Sequence, residues 1–291
     1  MTRSIYIILL FFAGILSGDL HAQHAYFPKK GIIKFEKEIY LRARIREMSN
    51  RQGNQNRGMM MRFGGNIDDI PEKNSSMFSL QFDEDETLMM PVESEAETTR
   101  TPRTGTESGN RSSRGRRGNN NNRPPGGGGR GMGRNQHKVY FQDLRTGKNE
   151  IELELDEKYL LQDSLQQITW RFTDEYRNIA GYECRRVNGA TEDSLYLVAF
   201  YTDQIPISGG PALVQGLPGM ILGLAIPEMH INYWAREVDF TVDNVPKQWR
   251  DKKSTSMSMN DFFNTLGNNR IFGGGANSKQ TRRNLFENLI Y

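Results

Sequence analysis

The run Leu195-Tyr-Leu-Val-Ala-Phe-Tyr-Thr202 constrains this chain more than any other stretch, because it is apolar on both faces at the two-residue period of a strand. Leu195, Leu197, Ala199 and Tyr201 fall on one side, and Tyr196, Val198 and Phe200 on the other. Such a strand in an antiparallel sheet needs cover on each side, or one side must line an apolar cavity. It is followed by Gly216-Leu217-Pro218-Gly219-Met220-Ile221-Leu222-Gly223-Leu224, where Gly and Pro predict a turn leading into another strand. In regular extended geometry Gly219, Ile221, Gly223 and Ala225 share a face, so that face is bare at two positions. Two readings follow: a bend or bulge where another backbone packs close, or a surface against which a ligand or partner lies. The binding candidates on the second reading are Gly216, Leu217, Pro218, Gly219, Met220, Ile221 and Gly223, with Phe200 and Trp170.

Further strands are spaced as in an antiparallel meander. Gly31 to Arg46 predicts a first strand, half-buried because Ile33 and Phe35 alternate with Lys34 and Glu36. Phe78 to Met90 predicts a hairpin across an acidic turn, and Lys138 to Asp143, Ile151 to Leu155, Ile168 to Thr173 and Ile231 to Val242 predict strands. Trp170, Phe172 and Ile168 share a face. Met259 to Leu266 carries Phe262, Phe263 and Leu266 at helical spacing, with Asn260 as the expected N-cap and Gly267 as the stop.

Arg3, the apolar run Ile5 to Ile15 and the small residues up to Ala22 predict a secretory signal over residues 1–22, too short to span a membrane. No Cys follows the apolar run, so a soluble product without a lipid anchor is expected, in the periplasm or secreted, free or associated with the outer membrane. Cys184 is the single cysteine, which excludes an internal disulfide and leaves stability to the core. Residues 23–92 hold the first strands of the β domain, 137–246 its core, and 247–291 a helical or irregular tail. Between them, residues 93–136 are almost free of apolar side chains and predict a disordered Arg/Asn/Gly-rich insertion. Arg residues concentrate there, so the basic balance of the +3 chain belongs to that one segment. Export argues against nucleic acid as its partner.

Catalytic chemistry has few candidates. His230 is the one histidine in ordered sequence, Cys184 has no local base, and no Cys/His metal spacing occurs. No catalytic residue and no cofactor are assigned. Two alternatives to a binding role remain: an envelope-polymer hydrolase using a carboxylate pair such as Asp203 and Glu228, and a Cu(I) site of thioethers from Met59, Met60, Met61, Met89, Met90, Met257 and Met259.

The succession Ile168-Thr-Trp-Arg-Phe172, Ile179-Ala-Gly-Tyr-Glu-Cys184, Val198-Ala-Phe-Tyr-Thr-Asp-Gln-Ile-Pro206, Gly210-Pro211 and Gly216-Leu-Pro-Gly-Met-Ile221 resembles the GLPGLI family, exported proteins of Gram-negative bacteria without an established activity. Met220 stands where that motif has Leu, and Phe200 where Trp is common. The strand succession is also similar to the half-barrel lipoprotein carriers of the periplasm. The expected fold is therefore mainly β (α+β), a curved antiparallel sheet with a few short helices. The expected role is non-enzymatic binding of an apolar ligand or an outer-membrane protein partner.

Overall fold

The computed structural model describes residues 28–51, 68, 70–92, 137–155, 157–192, 194–267 and 290–291. The apolar leader, Met59 to Met61 and the Arg/Asn/Gly-rich insertion lie outside these described residues. In chain order the elements are β1 (Gly31–Ile39), α1 (Leu41–Arg51), β2 (Asn74–Phe82), β3 (Glu86–Pro91), β4 (Lys138–Asp143), β5 (Lys148–Glu154) and β6 (Lys158–Ser164). They continue with β7 (Ile168–Ile179), β8 (Tyr182–Thr191), β9 (Tyr196–Thr202), β10 (Met220–Ile226), a 3-10 turn (Pro227–Met229), β11 (Ile231–Phe240), β12 (Thr255–Ser258) and α2 (Met259–Gly267).

All twelve strands form one open sheet in the order β12-β6-β5-β4-β3-β2-β1-β11-β10-β9-β8-β7. Every neighbouring pair is antiparallel except β12 and β6, which run parallel, so the sheet is mixed at one edge. β1 differs from its expected form in two ways. It ends at Ile39, because Leu41 and Ile45 are spaced for a helix and Arg44 N–H donates to the Tyr40 carbonyl in the first i to i−4 bond. It also pairs on both edges, with β2 and β11, which places Ile33 and Phe35 at 0% exposure.

Laid flat, eleven gaps of about 4.8 Å would spread the sheet over roughly 53 Å. It is instead curved. Tyr140 on β4 and Tyr233 on β11, with β3, β2 and β1 between them, donate to the backbone oxygens of the consecutive residues Ile290 and Tyr291. Three register shifts in the β1-to-β7 half, at Lys34/Phe35, Ile221/Gly223 and Phe172/Tyr176, supply the local extra twist that bulges give. The concave face holds the main core, including Ile33, Phe35, Leu80, Ile151, Leu197 and Tyr233. It is covered from within the chain by α2 through Phe262 and Phe263, by Ile290 and Tyr291, and by the β9–β10 connection.

Residues 241–254 form a strap over the convex face and carry the chain from β11 to the far edge. Fourteen residues reach at most about 50 Å, enough for seven gaps of about 4.8 Å. Its contacts advance strand by strand. Asn244 O accepts from Gln81 Nε2 on β2, Val245 N–H donates to Asp83, and Lys247 pairs with Glu86 on β3. Trp249 stacks on Phe141 of β4 at 5.3 Å, Arg250 pairs with Glu150 and Asp251 N–H donates to Glu152 on β5, and Lys158 on β6 reaches Asp251 at 2.7 Å. Residues 247–267 therefore add strap, strand and helix to the sheet. The cap of α2 is Ser258, whose Oγ accepts from Asp261 N–H and donates to its carboxylate, in place of the expected Asn260.

Trp249 is the strap's one aromatic anchor and is partly exposed. Trp249→Ala is expected to lower the free energy of unfolding by about 2 kcal/mol, less than the roughly 3–5 kcal/mol of a fully buried Trp. Urea denaturation with an unchanged slope measures it; no change would mean that the ion pairs alone hold the strap.

Candidate functional site

The candidate residues divide between the two faces of the sheet. Gly216 begins the approach to β10 at φ +95°, a conformation open to glycine, and lies beside the Trp170 indole, which donates to the Gln215 carbonyl at 3.2 Å. Leu217 is buried and Pro218 exposed. The connection 203–219 crosses the concave face to β3, where Ala212 N–H donates to the Met89 sulfur at 3.2 Å. It bonds within itself, Ile207 N–H to Ile205 O and Gly209 N–H to Ile207 O at 2.8 Å, and accepts from β10, Met220 N–H to Ile205 O and Ile221 N–H to Gly209 O at 2.9 Å.

The regular alternation expected for Gly219 to Ala225 breaks at Leu222, the extra residue of the β9–β10 bulge. Ile221 therefore pairs with Tyr201 on the concave side, and Gly223 with Phe200 on the convex side. A Cβ on Gly219 would lie 2.0 Å from the Thr202 carbonyl oxygen, and one on Gly223 2.6 Å from the Trp234 ring. Both bare positions are thus occupied by neighbouring atoms of the same chain. Phe200 packs on Trp234, and the Arg177 guanidinium sits 4.5 Å from the Trp234 ring centre. Among the described residues these side chains cover the convex side of β9, and Tyr196 stays exposed.

The structure brings together two groups that periodicity did not single out. The first is a polar cluster under the concave face. Lys37 on β1 donates to the backbone oxygen of Tyr291, and Lys138 on β4 lies 7% exposed beside it in charge range. Desolvation, then Lys138 and Arg44, hold the Lys37 ammonium well below its ordinary value, while desolvation and then Arg44 bring Lys138 down to about 8. Burial raises the phenols of Tyr140, Tyr233 and Tyr291. The second group lies on β7, the terminal strand of the sheet. Phe172 and Tyr176 are exposed there at 47% and 57%, and the Arg185 guanidinium stands 5.5 and 6.0 Å from their ring centres. The clue in the sequence was Tyr176, four residues past Phe172 and across the bulge that returns both to reach of Arg185.

The residues weighed for catalysis or metal do not converge. Asp203 follows β9 beside the Met220 end of β10, whereas Glu228 follows the Ile226 end, so a seven-residue strand of roughly 20 Å separates them. His230 bonds Glu47 of α1 at 2.6 Å, and burial pushes the Cys184 thiol up to about 12. Met89 and Met90 point to opposite faces of β3, Met89 into the main core and Met90 toward the strap. Among the described residues no group of three or more His, Cys, Asp or Glu could hold a metal ion. No described helix is long and apolar enough to cross a membrane.

Residues 185–223, from β8 into β10, match the family described as "Protein of unknown function (Porph_ging)". No curated protein matches the chain. Two solved structures of PNGF-II, in space groups P21 and C2, are similar to it at 11% and 12% identity with a TM-score of 0.46 each. The alignments cover 80% of this chain and 32% of those, so the chain spans about a third of their length.

Two outcomes follow from this geometry. Gly219→Ala meets backbone, which cannot swing away, and is expected to cost about 3 kcal/mol; Gly223→Ala meets a ring that can shift and is expected to cost about 1 kcal/mol. Equal costs in chemical denaturation would contradict the backbone contact. The folded pKa of Lys138 lies below its unfolded value of 10.5, so its burial destabilises fully below pH 8, and the penalty disappears as pH rises from 8 to 10.5. The stability of wild type relative to Lys138→Met is therefore expected to rise across pH 8–10 and to stay flat from pH 6 to 7.5.

Proposed function

We propose that this chain is an exported, non-catalytic binding protein of the cell envelope that docks an extended segment of a partner protein along β7. The observation that carries the reading is the combination of an unpaired terminal strand with an aromatic and cationic ladder. β7 runs for 12 residues, pairs among the described residues with β8 on one side only, and leaves Phe172 and Tyr176 exposed with Arg185 against both. An edge strand offers a row of backbone donors and acceptors to an added strand, while exposed aromatic side chains supply the contact area that makes such an addition selective. Asp174 and Glu175 at the bulge are paired with Arg185 and Arg186, which moderates charge along the edge.

The leader of residues 1–22 supports export, and the run from Ile168 to Ile221 supports the GLPGLI family as the finer assignment within this group of exported proteins. A protein partner is favoured over an apolar ligand because the concave face is taken up by the chain's own Phe262, Tyr291, Leu213 and Leu217.

A photo-crosslinking residue at position 172 or 176 is expected to capture one envelope protein in intact cells, and the same residue at the strap-covered position 141 is not. The purified partner should then bind wild type at least 10-fold more tightly than Phe172→Ala/Tyr176→Ala. Equal affinities would sink the reading.

A further inference from the structure

The outward edge of β7 keeps the two-residue alternation of a strand through its bulge. Between Phe172 and Tyr176 it carries Thr173, Asp174 and Glu175 where β8 carries only Arg186, so the insertion is even and leaves the two faces in step. The side-chain partners agree. Asp174 reaches Arg185, which pairs with Tyr201 on the concave side, and Glu175 reaches Arg186, which pairs with Phe200 on the convex side. Trp170, Phe172, Asp174 and Tyr176 therefore line the concave face of the edge, and Arg171, Glu175 and Arg177 its convex face.

The charges on that convex edge complement one another. Arg171 is exposed and has no carboxylate partner among the described residues. Glu175 takes Arg186 at 2.6 and 2.7 Å yet keeps its side chain 64% exposed, open to a second guanidinium. A cation and an anion on one face of one strand meet in pairs when that strand lies antiparallel to its own copy. A two-fold axis normal to the sheet keeps concave with concave only if it passes through a residue, because residues of like parity then face each other. Centred on Asp174, it would set Arg171 opposite Arg177 and Asp174 opposite itself. Centred on Phe172, it would set Arg171 opposite Thr173 and Trp170 opposite Asp174. Centred on Thr173, it sets Arg171 of each copy opposite Glu175 of the other, and Trp170 opposite Tyr176. That register also brings the two Phe172 rings diagonally across the axis, at the roughly 7–8 Å that aromatic side chains span.

We propose that β7 pairs antiparallel with β7 of a second copy of this chain about a two-fold axis at Thr173, joining two twelve-stranded sheets into one continuous sheet. This pairing rests on the docking role already assigned to β7 and names its occupant. It runs from Ile168 to Asn178, sets Glu175 between Arg186 of its own chain and Arg171 of the other, and covers the exposed Phe172 and Tyr176 rings of both copies. Charge selects the register, since the one centred on Asp174 faces guanidinium with guanidinium, and the aromatic side chains supply contact area. A foreign strand would have to reproduce this pattern, whereas a second copy carries it by symmetry.

Sedimentation velocity over a concentration series reads the outcome. Wild type is expected to dimerise reversibly, and Arg171→Glu and Glu175→Arg, each alone, to dimerise at least about 10-fold more weakly, because each sets like charges across the axis twice. An equimolar mixture of the two variants restores both opposite-charge pairs and is expected to dimerise about as tightly as wild type. Thr173→Cys, with its sulfur on the axis, should close an interchain disulfide under diamide, and Thr169→Cys should not; the native Cys184 is buried and stays out of the reaction. A wild type that is monomeric throughout, a dimer indifferent to both charge changes, or a mixture no tighter than its components overturns the proposal. The docking reading fails separately. A photo-crosslinking residue at position 176 that captures a different envelope protein keeps that reading and removes the second copy, and one that captures nothing removes both.

Discussion

An open sheet of twelve strands has two faces to cover, and among the described residues the cover comes from two helices, a strap, one long connection, and Ile290 with Tyr291. Curvature reduces the problem, because a concave face brings distant strands close enough for side chains to fill the space between them. Tyr140 and Tyr233 meet the same dipeptide from strands that a flat sheet would hold roughly 19 Å apart. The convex face is broader and is treated differently on its two halves. The β2–β6 half is crossed by the strap, with Trp249 and Val245 on Leu88, Val139 and Phe141. On the β7–β11 half, among the described residues, the cover is the sheet's own larger side chains, Trp234, Phe200 and Arg177.

Strand positions were legible because they depend on local alternation. Phe78, Leu80 and Phe82, or Ile151 and Leu153, write their buried face directly, and the hairpins follow from the turns between them. The bulge that the sequence offered as one reading of the Gly216 to Leu224 stretch is present, with the Thr202 backbone packed on Gly219, but its register was not legible. The alternation Gly219, Ile221, Gly223 holds in the sequence and fails in space because Leu222 is inserted into the β9–β10 ladder, and nothing in the residue types distinguishes an inserted leucine from a paired one. The two readings of the bare face needed that register, since only it reveals that Thr202 and Trp234 supply the missing volume. The capping of α2 by Ser258 was equally hidden, although the spacing from Ser258 to Asp261 is the signal that could have found it.

Long-range polar structure was the least legible. Nothing in the local pattern marks Lys37, Lys138 or Gln142 as buried, although Lys37 shares the alternating face of Ile33 and Phe35. Their burial comes from what lies over them, and Ile290 is 253 residues from Lys37 in the chain, so no local pattern connects the two. The strap is a similar case. Its charges, Lys247, Arg250 and Asp251, look like a solvated run until Glu86, Glu150 and Lys158 are placed opposite them on successive strands.

The way these polar groups are buried bears on which parts of the fold can change. A backbone contact such as Gly219 against Thr202 is fixed, since neither side has a rotamer to use. The cluster around Tyr291 is the reverse. Lys37 and Lys138 each regain hydration if the cover above them lifts, so the desolvation that lowers their pKa also offsets part of the apolar gain of covering them. Seating Ile290 and Tyr291 buries apolar surface worth about 25 cal/mol per Å² against the desolvation of the Lys37 ammonium that meets Tyr291. The Tyr291 cluster therefore sets an apolar gain against a desolvation cost, whereas the glycine contact beside β10 involves no buried charge.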